Sequence, residues 1–152
     1  MDFVPEVPRD ARFFGTHEAY FLILKEKFGE EAALEAMRCA MERNLTNAYV
    51  SMGFHKGNPQ YFARVVGERD KSVGLHVGFP VVSDDKIIYQ LRTDPFPGLK
   101  SHVVPEKLDA TYMDFKVSFL LGSSWSYNTT KHLWEGKDCT EHVIEWSQRT
   151  QW

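Results

Sequence analysis

The chain carries none of the short signatures that announce a reaction. It has no glycine-rich phosphate loop, no G-x-S-x-G, no C-x-x-C and no H-E-x-x-H, which argues against nucleotide-dependent and serine-hydrolase chemistry. Cysteine is scarce: Cys39 and Cys139 stand far apart in different types of element. The opening "MDFVPEVPRDARFFG" holds acidic residues and two prolines, unlike a signal peptide. Reduced thiols and a cytoplasmic location are therefore expected. The net charge of −3 comes from dispersed residues, with no basic stripe for a nucleic acid. No apolar run approaches the roughly 20 residues that cross a bilayer.

What is present fits a folded domain. Hydrophobic residues make up 43% and charged residues 26% of 152 positions, enough for one core over residues 1–152. Aromatics are abundant, with 11 Phe, 6 Tyr and 4 Trp. Such a supply serves a thick core, an aromatic pocket or a buried dimer face.

Residues 1–15 read as an arm whose Phe13 and Phe14 should lie on the body or on a neighbouring subunit. Thr16 is the expected cap of a first helix carrying Tyr20, Phe21, Leu24 and Phe28, closed by Gly29. A second helix starts at "EEAALEAMRCAMER", buries Ala33, Met37, Ala40 and Met41, and runs to Met52 before Gly53. Cys39 is expected as a small buried residue beside that face. "GNPQYFARVVG" reads as a short helix capped by Asn58 and closed by Gly67. "SVGLHVGF" and "KIIYQLRT" alternate as strands of a hairpin around "SDDK".

After the proline-stiffened loop "TDPFPGLKSHVVP", Pro105 opens a helix with Leu108, Tyr112, Phe115 and Phe119 in a stripe. "SSWSYN" then leads into a last hairpin turning at "EGKD". The predicted fold is α+β, with the N-terminal helices and a further helix packed on an antiparallel sheet of about four strands.

The candidate chemistry gathers near the C-terminus. Cys139 and His142 are three apart on a strand, so they point to opposite faces, which argues against a zinc pair; no metal and no cofactor are expected. If the turn is tight around Gly136 and Lys137, Trp134 faces Cys139 and His132 faces Glu141. Cys139, His132 and Glu141 then share a face as a thiol, an imidazole and a carboxylate, or else that face is simply wet. A bulge at Gly136 puts His132 opposite His142 instead. Asp94, before Pro-Phe-Pro-Gly, is either a base or the cap of its own turn, with Arg92 and His102 flanking it. His76, between Gly74 and Gly78, either lines a cleft or packs under a helix.

The order of elements over residues 16–146, with the anchors "DPFPGL" and "HLWEGKDCTEHVI", resembles the L-2-amino-thiazoline-4-carboxylic acid hydrolase family. That family is in turn similar to the 4-vinyl-reductase-type small-molecule-binding domains. The resemblance implies an enzyme on a small organic molecule. It departs at Asp94-Pro95, where many members carry Cys-Pro, so this chain either uses Asp94 or does different chemistry.

The expected function is hydrolysis, or another addition–elimination, at a C–N or C–S bond of a small organic acid. Asp94 or His132 is the candidate base, and Cys139 the candidate nucleophile or a wall of the pocket. The substrate is expected against Tyr112, Phe115, Trp125 and Trp134, near His76 and His142, with Lys131 or Arg92 on its carboxylate. A non-catalytic sensor or carrier domain is the alternative. The Phe-rich arm and the tail "EWSQRTQW" could build a symmetric dimer in either case.

Overall fold

The computed structural model describes residues 10–147. Four helices are present: α1 (Gly15–Phe28), α2 (Glu30–Met52), α3 (Pro59–Ser72) and α4 (Pro105–Leu120). Four strands follow the third helix in two pairs: β1 (Val77–Val82), β2 (Lys86–Leu91), β3 (Trp125–Lys131) and β4 (Thr140–Trp146). They form one antiparallel sheet in the order β1-β2-β4-β3. The predicted α+β class and strand number are both found.

The helices stack on one face of that sheet. α3 touches β1 and β2, α4 touches β3, α2 lies across α3 and α4, and α1 rests on α2. Alternation along the central strands directs Ile87, Tyr89 and Leu91 of β2 and Thr140, His142 and Ile144 of β4 into the core. The opposite face keeps Val81, Ile88 and Val143 half-buried or exposed between polar rows. β1 is an edge strand with a register shift between Gly78 and Val81, and it carries Pro80.

Several local expectations change. Thr16 lies inside α1, and Phe14 occupies the position before it with no side-chain cap. Of the predicted apolar face of α1, only Phe21 is buried; Tyr20 is 63% and Phe28 70% exposed, because α1 is the outermost layer, covered by α2 and the Pro97–Leu99 turn and not by the sheet. α2 ends at Met52 as expected, and its buried series runs Ala33, Met37, Met41, Leu45, Tyr49. Cys39 is exposed rather than buried, its thiol facing Glu35 on the outer side of α2.

α3 passes through Gly67 and continues to Ser72. Gly67 packs near the Phe79 ring, which a Cβ there would meet at an ordinary contact distance of 3.4 Å. The predicted first strand accordingly starts only at Val77; Val73 and Leu75 are buried by the loop that follows α3. Between α1 and α2 the chain reverses at one residue, Gly29, with φ +96°, a conformation that penalises any Cβ.

Phe14 of the arm is buried and Phe13 exposed. The arm's prolines and Trp152 lie outside the described residues. No described helix is long and apolar enough to cross a membrane.

Asn58 caps α3 as predicted, its side-chain oxygen accepting the Tyr61 amide at 3.1 Å. Asn58→Ala is expected to lower stability by about 1 kcal/mol. A urea unfolding midpoint shifted down with an unchanged slope is the measurement.

Candidate functional site

α4 is the only described helix that brings a stripe of polar side chains into the middle of the core. Asp109, Tyr112 and Lys116 are spaced three and four apart, so they share one helical face, and all three are buried. Each has found a partner on another element. Lys116 Nζ donates to the Tyr89 hydroxyl at 3.1 Å and lies 3.6 Å from Asp70 Oδ1. The Tyr89 hydroxyl donates to Asp70 Oδ2. Tyr112 donates to Asp109 Oδ1 at 3.0 Å, and Asp109 Oδ2 is 3.1 Å from His132 Nε2. The ammonium also sits over the Tyr89 and Tyr112 rings, at 5.2 and 5.1 Å. A polar chain thus crosses the core from α3, through β2 and α4, to the β3–β4 connection.

Burial governs its electrostatics. It lowers the Lys116 pKa below that of an ordinary ammonium, an effect that Asp70 opposes and the nearby Arg69 charge reinforces. The Tyr49, Tyr89 and Tyr112 hydroxyls are held in their neutral form, well above the usual phenol range, first by burial and then by neighbouring carboxylates. Removing one member of the Lys116–Asp70 pair leaves the other charge buried, a loss of about 3–5 kcal/mol.

The near end of this chain opens on a crevice between α2, α3 and α4. Asn44, Arg69, Asp70, Tyr112 and Lys116 supply its polar groups, and Phe14, Leu45, Leu75, Leu91 and Phe96 much of its apolar wall. Its free space is about 30 Å³, room for a water molecule or two. Arg69 Nε and the fully buried Tyr49 hydroxyl have no hydrogen-bond partner within the protein. Of the two, Arg69 lines the crevice.

The far end opens on a wider cleft, about 450 Å³, between α4 and β3. Glu106, Asp109, Asp114 and Glu135 face Lys131 and His132 there. An organic anion would meet four carboxylates, so this cleft suits it poorly. Among the described residues, no group of three or more His, Cys, Asp or Glu is placed to hold a metal ion.

The predicted site residues divide between these places. His132 does not face Glu141. One extra residue, Thr130, is inserted in β3 between the Thr129–His142 and Lys131–Glu141 pairs, which turns His132 back toward α4. Glu141 faces the other way and bonds Thr130 and Gln90. Nor is the turn tight: Leu133–Glu135 form a single 3-10 turn, and Gly136 follows with φ +79°. The shared face expected for Cys139, His132 and Glu141 is therefore absent.

Cys139 is buried, and burial followed by the Asp138 charge raises its pKa, the reverse of an activated thiol. His132 has both ring nitrogens engaged, Nε2 with Asp109 and Nδ1 accepting the Trp134 amide at 3.0 Å. Burial would lower its pKa, but Asp109, Asp94 and Glu135 outweigh that and raise it. Charging the ring nevertheless needs a proton on Nδ1, where the Trp134 amide already donates.

Asp94 takes the turn-capping role, accepting the Phe96 amide at 2.9 Å, while its other oxygen accepts the Trp134 indole at 2.6 Å. Burial raises its pKa against these two bonds. Trp134 in turn packs edge-on against His132, with centroids 5.2 Å apart.

Tyr112 is in the crevice, and Lys131 is in the acidic cleft. Phe115 stacks on Phe119 toward Tyr49 and Phe54, and Trp125 is buried opposite Trp146. His76 and Arg92 are exposed at the end of the first hairpin, joined by the Arg92 amide to the His76 carbonyl at 2.8 Å. The sequence reading missed Arg69, Asp70, Tyr89, Asp109 and Lys116. The signal for the last two was there: in "LDATYMDFK" both charges fall on the face that carries Tyr112.

His142 stands opposite Tyr89 and Thr129, among the rings of Tyr89, Tyr112 and Tyr127. Nδ1 is 2.8 Å from Thr129 Oγ1, and Nε2 has no partner. Burial pushes its pKa down to about 4, so the unfolded chain takes up this proton near pH 6.5 and the fold does so only near its own pKa. Stability is complete above about pH 6.5 and is expected to fall as pH drops toward 4, by about 3 kcal/mol in all. His132, with a raised pKa, acts in the opposite direction. Comparing chemical denaturation of wild type and His142→Gln from pH 7 to pH 4 isolates the His142 part, and the variant is expected to lose less stability on acidification.

No protein-family model matches the chain and no curated protein matches it, so the chemistry of this site rests on its own residues.

Proposed function

We propose that the protein binds a small organic acid in the crevice between α2, α3 and α4 and acts on it by addition–elimination at a C–N or C–S bond. The observation that carries this reading is the charge balance of the crevice: Arg69 and Lys116 share it with one carboxylate, Asp70, among mostly apolar walls. One positive charge is left over beside apolar walls, which suits a carboxylate attached to an apolar or aromatic body. Arg69, with Nε unpartnered, takes the carboxylate role first expected of Lys131 or Arg92.

The second reading is a binding domain without chemistry, a sensor or carrier. It is favoured by the engagement of Asp94 and His132 in structural hydrogen bonds and by the raised pKa of Cys139. Self-association fits either reading, because α1 leaves Tyr20, Ile23 and Phe28 exposed.

Calorimetric titration with a panel of small aliphatic and aromatic carboxylates is expected to find binding in the wild type. Arg69→Met should weaken it about tenfold or more, the effect of losing one charge-assisted hydrogen bond. Carboxylate affinity indifferent to Arg69 would overturn the assignment. Release of ammonia or a thiol from amino- or thio-substituted acids, lost in Lys116→Met, distinguishes the enzyme from the sensor.

A further inference from the structure

We infer that Lys116 is a covalent amine, forming an imine with the carbonyl carbon of a small oxo acid whose carboxylate is held by Arg69. This rests on the organic-acid reading above and names the substrate class within it. The geometry supplies what an imine-forming lysine requires. Its amine is buried, with 5% of the side chain exposed, and lines the same crevice as a second cation, Arg69. It also has an outlet for its proton already in place. Lys116 Nζ donates to the Tyr89 hydroxyl at 3.1 Å, and that hydroxyl donates to Asp70. A proton passed from nitrogen to Tyr89, with the tyrosine's own proton passed to Asp70, converts a buried ion pair into a neutral amine and a neutral acid. Burial, which disfavours the ammonium, favours its loss of a proton. Asp70, 3.6 Å from the ammonium, opposes the exchange through its charge and its hydrogen bonding.

The covalent step then balances. The nitrogen lone pair forms a bond to the carbonyl carbon while the C=O π pair moves to oxygen. A proton lost from nitrogen and one returned from Asp70 through Tyr89 convert that oxygen to water. Water leaves as the C=N bond forms, so no oxidant or reductant is consumed. The free space of about 30 Å³ is smaller than an oxo acid, so the ligand displaces Phe14, whose ring meets that of Phe96 at 5.0 Å on the crevice wall.

The test uses the intact chain, sodium pyruvate and sodium cyanoborohydride, with peptide mapping by mass spectrometry. The expected result is one reduced adduct per chain on Lys116, faster than on any other lysine, and little label from acetone, which lacks the carboxylate. Phe14→Ala should speed the labelling severalfold, and Arg69→Met should slow it about tenfold. Label spread over surface lysines, or none on Lys116, overturns the inference. Calorimetric binding of pyruvate without a Lys116 adduct would refute the imine and leave the organic-acid site standing, whereas neither binding nor adduct with any carboxylate would remove both.

Discussion

A lysine and an aspartate facing one another in the interior, both almost sealed from water, constrain much of this structure. Each charge alone would be costly there. The pair is sustained by the Tyr89 hydroxyl between them and by two tyrosine rings against the ammonium. Three elements must therefore meet in one register: α3 for Asp70, β2 for Tyr89 and α4 for Lys116. A sheet shifted by one residue would turn Tyr89 outward and leave both charges stranded. The polar core thus fixes the alignment of helices on sheet more tightly than apolar packing alone.

The same logic extends along α4. Asp109 has two oxygens and two partners, Tyr112 and His132, so the helix is tied to the β3–β4 connection as well. His132 then caps the Leu133–Glu135 turn, and Trp134 reaches from that turn to Asp94 in the proline loop. Asp94 completes the circuit by accepting the Phe96 amide, and its carbonyl accepts the amide of Ala11. Residues read from the sequence as separate candidates are here successive supports of one framework. Their chemistry is spent on holding Phe96 and Tyr112 around the crevice.

The fold was readable because its signals are local. Periods of 3.6 and 2, Asn58 and Pro59 at one helix start, and Gly29 and Gly53 at two helix ends each act within a few residues. The helix end expected at Gly67 fails because a glycine is also tolerated inside a helix, as it is in α3. The site was less legible. Thr130 carries nothing in its own chemistry that marks an inserted residue, yet that insertion decides which way His132 points. Asp70 and Tyr89 sit among ordinary helix and strand residues, and only their burial beside Lys116 gives them a role. Tyr112 was found because an aromatic stripe is visible in sequence; its charged companions on the same stripe were hidden by being exceptions to it.

Pro80 has a further consequence. It occupies a border position of the sheet, where a neighbouring chain would otherwise find a row of free amides and carbonyls. Lacking an amide hydrogen, and next to a break in regular pairing, it spoils that row for ribbon-to-ribbon accretion. Growth of a continuous sheet along that border is thereby disfavoured.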